Sequence, residues 1–181
     1  MPPSRLRPVD RRPVYRRPVY RHEAPIAELR VAEAFTVTAL RLWAAPHRAP
    51  EQQHGDWRGG FIAAGIDAAG AAAFDGLFRI VLAAALRPLD VRCQHCPRLG
   101  ADEAWLLQLV MLLQRARRAE AAAILADWLP PAAARMAMMP AFAFAGALAG
   151  VGLLVPLRHC EAAEIHHHVP AAQIRGCELV H

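Results

Sequence analysis

The chain lacks several of the residues that carry most enzyme chemistry. Its 181 residues include no Lys and no Asn, one Ser (Ser4), and two Thr, Thr36 and Thr38. Without Lys there is neither a Schiff-base amine nor a P-loop lysine. The glycines of Arg58-Gly59-Gly60 and Gly146/Gly150/Gly152 also follow no strand pattern. A hydrolase triad needs Ser, Thr or Cys beside a placed base. Ser4 sits in an Arg/Pro-rich tail and both Thr fall in a helical pattern, so serine chemistry is excluded. The N-terminus also lacks the short apolar stretch and small-residue cleavage site of a secretory signal. The expectation is a cytoplasmic, reducing setting, where neighbouring Cys are metal-binding, redox-active or simply reduced.

Lys and Asn use AT-rich codons, and all 21 basic side chains are Arg. A high-GC coding sequence accounts for both, and for Ala as the commonest residue. Arg abundance is then weak evidence of function, and Ala abundance inflates helix propensity and hydropathy. Apolar residues make up 55% of the chain, enough for one domain with a real core. The net charge of +5 is uneven. Residues 1–21 hold seven Arg against one Asp, whereas the remainder holds 14 Arg against 15 acids. The folded part is close to neutral, and its charge gives no support to nucleic-acid binding. A protein partner and a membrane surface stay open.

Residues 6–20 are three pentads, Leu-Arg-Pro-Val-Asp and then Arg-Arg-Pro-Val-Tyr twice. Pro at every fifth position blocks helix and sheet, so 1–23 reads as a disordered tail. Apolar spacing predicts a first helix over Ile26–Trp43, stopped by Pro46 and Pro50. Asp56 is placed to cap a short helix, broken by Gly65. Asp67 is placed to cap a longer one to about Leu86, with Phe74, Leu77, Phe78, Val81, Leu82 and Leu86 on its apolar face. Asp102 is read as the N-cap of a helix to about Arg117, with Glu103 adding negative charge to its first turn. That helix is apolar on more than one face and belongs at the centre of a bundle. Ala119–Leu129 follows. The tryptophans read as core or groove residues.

Met136–Leu157 carries no charge, has the length of a membrane span, and contains Gly146-Ala-Leu-Ala-Gly150. Pro140 shortens it and Ala inflates it, which favours a buried core helix over a membrane anchor. The fold class is all-α: a compact helical bundle of five to seven helices over 24–157, with 158–181 as a flexible tail. That tail holds His159, Cys160, His166, His167, His168, Cys177 and His181.

The chemistry concentrates in Cys93-Gln94-His95-Cys96-Pro97. C-x-x-C supplies two thiolates from one tight turn, and zinc wants four ligands in a tetrahedron. The metal candidates are Cys93, Cys96, His95 and Cys160, with zinc as the possible cofactor. No second pair has a recognised zinc-knuckle spacing. A redox pair would sit at a helix N-terminus within a βαβ pattern, and this loop has neither. Unliganded loop thiols are the third reading. His166–His168 is a flexible chelate for nickel or zinc, or a solvated stretch.

The segment Arg92–Leu113, with Cys93, Cys96 and Leu99-Gly100-Ala101-Asp102-Glu103, resembles small uncharacterised helical proteins of alphaproteobacteria. In those, a Cys-containing loop precedes a similar L-G-x-D-E helix start. The resemblance implies a cytosolic all-helical domain over about 30–155, with both tails as additions, and carries no activity with it. The leading expectation is a metal-binding accessory or regulatory protein rather than an enzyme, since no nucleophile–base pair can be assembled. The alternatives are a membrane-associated protein anchored by 136–157 and a metal-free interaction module.

Overall fold

A computed structural model describes Tyr20 and residues 23–158. Residues 1–19, 21 and 22 and the His/Cys segment 159–181, Cys160 included, lie outside the described residues; Tyr20, the last residue of the pentads, is described and buried, not part of a disordered tail. Among those described, the chain is all-α. It comprises a single 3-10 turn, η1 (Ile26–Glu28), then α1 (Val31–Arg48), α2 (Trp57–Ala63), α3 (Ala68–Ala84), α4 (Ala101–Gln114), α5 (Arg118–Trp128) and α6 (Pro131–Gly150).

The first helix starts later and ends later than its apolar spacing predicts. Ile26 and Leu29 are apolar at helical spacing, but their backbone has another partner. The Ile26 N–H donates to the Pro97 carbonyl at 2.8 Å and the Leu99 N–H to the Ala24 carbonyl at 2.9 Å. This antiparallel bridge fixes Pro25 against Arg98 and keeps the strand-like segment out of the helix. α1 begins once Glu33 can reach back to the Arg30 N–H, at 2.7 Å. Pro46 does not stop it. The helix closes one more turn to Arg48, whose guanidinium donates to the carbonyls of Val91 at 2.6 Å and Arg92 at 3.0 Å. Tertiary hydrogen bonds at the helix end offset the one that proline removes.

Asp56 and Asp67 cap α2 and α3 as their positions predict. Asp56 accepts from the N–H groups of Arg58 and Gly59, and Asp67 from that of Gly70. Between them, Gly65 adopts φ +77°, a left-handed turn open to glycine. α3 buries Phe74, Leu77, Phe78 and Val81. Leu82 and Leu86, expected on the same face, are exposed at 59% and 62%. α3 ends at Ala84, so Leu86 falls past the helix, and Leu82 lies on its outer side.

α4 runs through the centre, with eleven of its fourteen residues buried. α6 lies across α3, α4 and α5. Its inner stripe is Ala137, Ala141, Phe144, Ala145 and Leu148, at the spacing of one helix face. Phe144 joins Phe61 and Phe74 in an aromatic cluster with ring centroids 4.9–6.1 Å apart. Each such ring contributes on the order of 1.5–3 kcal/mol on burial. Trp43, Trp57 and Trp128 are buried, and Trp105 is half-buried.

α6 starts at Pro131, five residues before the predicted apolar run, and stops at Gly150 before Pro156. Pro at the first helical position has no N–H to lose, which explains the early start. By length and composition α6 is apolar enough to cross a membrane. It presents one face to the bundle and leaves Met136 and Met139 66% and 71% exposed on another.

Candidate functional site

The Cys loop, residues 85–100, joins α3 to α4 and has no helix or strand of its own. Sixteen irregular residues need partners for their backbone groups. Beside the backbone pairing with Ala24, Ile26 and Trp128, the side-chain partners from outside the loop are two carboxylates at the start of α4 and two arginines of α1. Gly100, not Asp102, is the N-cap of α4, and the Gly100 N–H donates to Glu103 Oε2 at 2.8 Å. The N3 glutamate thus caps its own helix, as in a capping box. The difference follows from Asp102 having stronger partners than the helix end.

Asp102 is buried and accepts from both Arg87 nitrogens at 2.8 Å, from the Asp90 N–H at 2.6 Å and from Trp128 Nε1 at 2.9 Å. Burial alone pushes this carboxyl up. The bidentate Arg87 and the Asp90 and Trp128 donors outweigh it and hold the group below the ordinary carboxylate range.

Glu103 is also fully buried. It accepts from Arg41 Nε and Nη2, both at 2.8 Å, and from the Arg92 N–H at 2.9 Å. Arg41, 3% exposed, spends its remaining donors on the loop. Its Nη1 donates to the Cys96 carbonyl at 2.6 Å and its Nη2 to the Arg98 carbonyl at 2.8 Å. A paired buried charge of this kind needs its other donors filled, and these carbonyls fill them. α1 and α4 therefore grip the loop immediately behind the cysteines.

Within that mount, the Cys96 N–H donates to the Cys93 carbonyl at 3.1 Å, closing a four-residue turn. Cys93 and His95 are exposed, and Cys96 is half-buried. Both thiols are free. The structure thus brings three predicted site residues into one turn at the surface. Cys160, the fourth, lies outside the described residues. Among the described residues, no three His, Cys, Asp or Glu side chains converge as a metal-holding group. The turn offers two sulfur ligands, half a tetrahedral zinc shell.

Sequence reasoning did not single out Arg41, Glu33 or the buried role of Asp102 and Glu103. The signal was present for Arg41, which sits four residues from both Val37 and Ala45, on the buried side of α1. Glu33 forms a second buried hub. It accepts from Tyr20 Oη at 2.7 Å and from Arg158 Nε and Nη2 at 2.7 and 2.8 Å. No protein-family model matches this chain, and no curated protein or solved structure matches it.

Proposed function

We propose that the chain is a non-enzymatic zinc-binding protein with an accessory or regulatory role, using the Cys93–Cys96 turn. The observation that supports this is the turn itself: two thiols three positions apart, one exposed and one half-buried, on a backbone held by Arg41 and Glu103. A dithiol turn fixed from behind loses little entropy on taking a soft cation, which is what a metal knuckle requires. His95, between the cysteines, and Cys160 are the further donors the sequence offers. The test is metal content of the untagged chain beside a Cys93→Ser/Cys96→Ser variant. Near-stoichiometric zinc that disappears in the variant is expected. The absence of metal from both proteins would overturn the reading.

A second reading, a membrane-associated protein, is favoured by the outer face of α6, where Met136 and Met139 stand exposed near Arg135. An apolar helix face with a cation at one end suits a membrane surface. Co-flotation with phospholipid vesicles, weakened by Met136→Ser/Met139→Ser, is its expected outcome. Chain that remains unbound with vesicles in excess removes it.

A further inference from the structure

We infer that the outer groove between α5 and α6 binds one medium-chain aliphatic carboxylate, its alkyl chain lying along the groove and its head group paired with Arg135. The inference is independent of the zinc reading, since the groove shares no residue with the Cys93–Cys96 turn.

Leu129-Pro130 turns the chain back between the two helices. Arg118 at the start of α5 lies over the Phe142 ring of α6, 4.4 Å from its centroid, so the helices run antiparallel. On their outer side they leave a groove of about 630 Å³, within the size range of small-molecule sites. The small side chains of Ala122, Ala126 and Ala134 open it, and Met138 lines it. From Pro131 to Met138 it follows α6 for about 10 Å at the helical rise. Its wall has little left to hydrogen-bond. Pro130 and Pro131 have no N–H. The N–H groups of Leu86, Leu129 and Ala134 are spent on the carbonyls of Trp128, Leu125 and Pro130, each at 2.9 Å. The first of these bonds fixes the exposed Leu86 at the rim. Such a lining suits an alkyl chain better than a peptide, whose backbone groups would give up water there without a partner.

Charge then selects the kind of alkyl ligand. Arg135 is the charged residue of the lining, and among the described residues no hydrogen bond or ion pair holds its guanidinium. Asp127, the carboxylate on this stretch of α5, interacts with Arg87 instead. α6 also begins beside the groove with no side-chain cap, which adds the positive end of a helix dipole to the same rim. An apolar trough with a cation on its rim is complementary to a ligand that is apolar along its length and anionic at one tip. A carboxylate meets a guanidinium in a bidentate, charge-assisted pair. The chain behind it takes Leu86, Met138 and the three alanines out of water.

The experiment titrates the full chain with decanoate below its micellar concentration, read by calorimetry. Decanol is the uncharged probe, and mixed phosphatidylcholine and phosphatidylglycerol vesicles are the membrane arm. Saturable one-to-one binding of decanoate is expected. Arg135→Gln should weaken it about 10-fold, the worth of one charge-assisted pair, and should leave decanol binding unchanged. Ala126 is exposed on α5, so Ala126→Phe fills the groove without entering the core. It should weaken decanoate binding at least about 10-fold with the helical circular dichroism intact. Ala122→Leu, at a second exposed position of the lining, repeats that test independently. Decanoate affinity unmoved by Arg135→Gln, or by both groove-filling variants, overturns the proposal. So does a chain that never saturates with decanoate. Capture by vesicles alone overturns it too, and leaves the membrane reading of α6 standing.

Discussion

Arg41 is the single residue on which the Cys loop most depends. Its guanidinium neutralises buried Glu103 and fills the carbonyls of Cys96 and Arg98. Arg41→Met should cost about 3–5 kcal/mol, because it leaves a buried carboxylate without its cation. Urea unfolding gives the measure. Arg79→Ala, which breaks an exposed pair with Asp75, is the control and should leave the midpoint nearly unmoved. The carboxylates also set the acid limb of stability. Glu33, like Asp102, is raised by burial but held below its ordinary range by Arg158, the Arg30 N–H and Tyr20. The unfolded chain takes up these protons at higher pH than the folded one, so stability is present above the unfolded carboxylate range of about 4. It falls as pH drops through the lower folded values. Tyr20 is shifted the opposite way, upward, by burial and by Glu33. Its contribution is present below the unfolded tyrosine value of about 10 and is lost above it. The melting temperature should therefore plateau between about pH 5 and 9 and decline on both sides; a curve still rising below pH 4 contradicts the assignment.

Among the elements, α6 carries glycines and prolines whose meaning the packing decides. Gly146 and Gly150 form a G-x-x-x-G, yet a Cβ at either would meet no atom within 4 Å. Among the described residues the motif is not a packing seam. The close approach lies instead at Gly70 of α3, where a Cβ would come within 2.6 Å of the Ala147 Cβ and 2.7 Å of Ile66. Gly146→Ala should stabilise by about 0.5–1 kcal/mol through helix propensity. Gly70→Ala should destabilise by about 1–3 kcal/mol by forcing α3 and α6 apart. Thermal unfolding of the two single variants checks the pair, and effects of the same sign would contradict this packing. The long Cys loop belongs at this scale too. It holds without helix or strand because α1 and α4 supply its hydrogen bonds, and its irregularity is not softness.

For the whole molecule, the core and the Cys93–Cys96 turn are separate. Phe61, Phe74, Phe144 and Leu106 close the interior, while Cys93 faces solvent at the rim. A zinc-finger-like dependence of folding on metal is therefore not expected, in contrast to chains too small for a core. On the proposed zinc reading, chelation should lower the melting temperature by a few degrees and leave the helical circular dichroism at 25 °C intact. Collapse of that signal on chelation would show that the metal holds the fold itself.

The sequence by itself determined the all-α class, the central place of α4, the Asp56 and Asp67 caps, and the position of the C-x-x-C turn. These are local matters of apolar spacing, capping side chains and Gly or Pro punctuation, all written within a few neighbouring residues. It was silent or wrong where a residue's partner lies far along the chain. Asp102 read as a cap because its neighbours suggest one, while its actual partners are Arg87, Asp90 and Trp128. Ile26 read as helix because nothing nearby announces Pro97. Pro46 read as a stop because the bonds from Arg48 to the Cys loop are 43 and 44 residues distant. Only the tertiary structure decided these, because a buried charge or a diverted backbone is stable solely where distant donors and acceptors meet it.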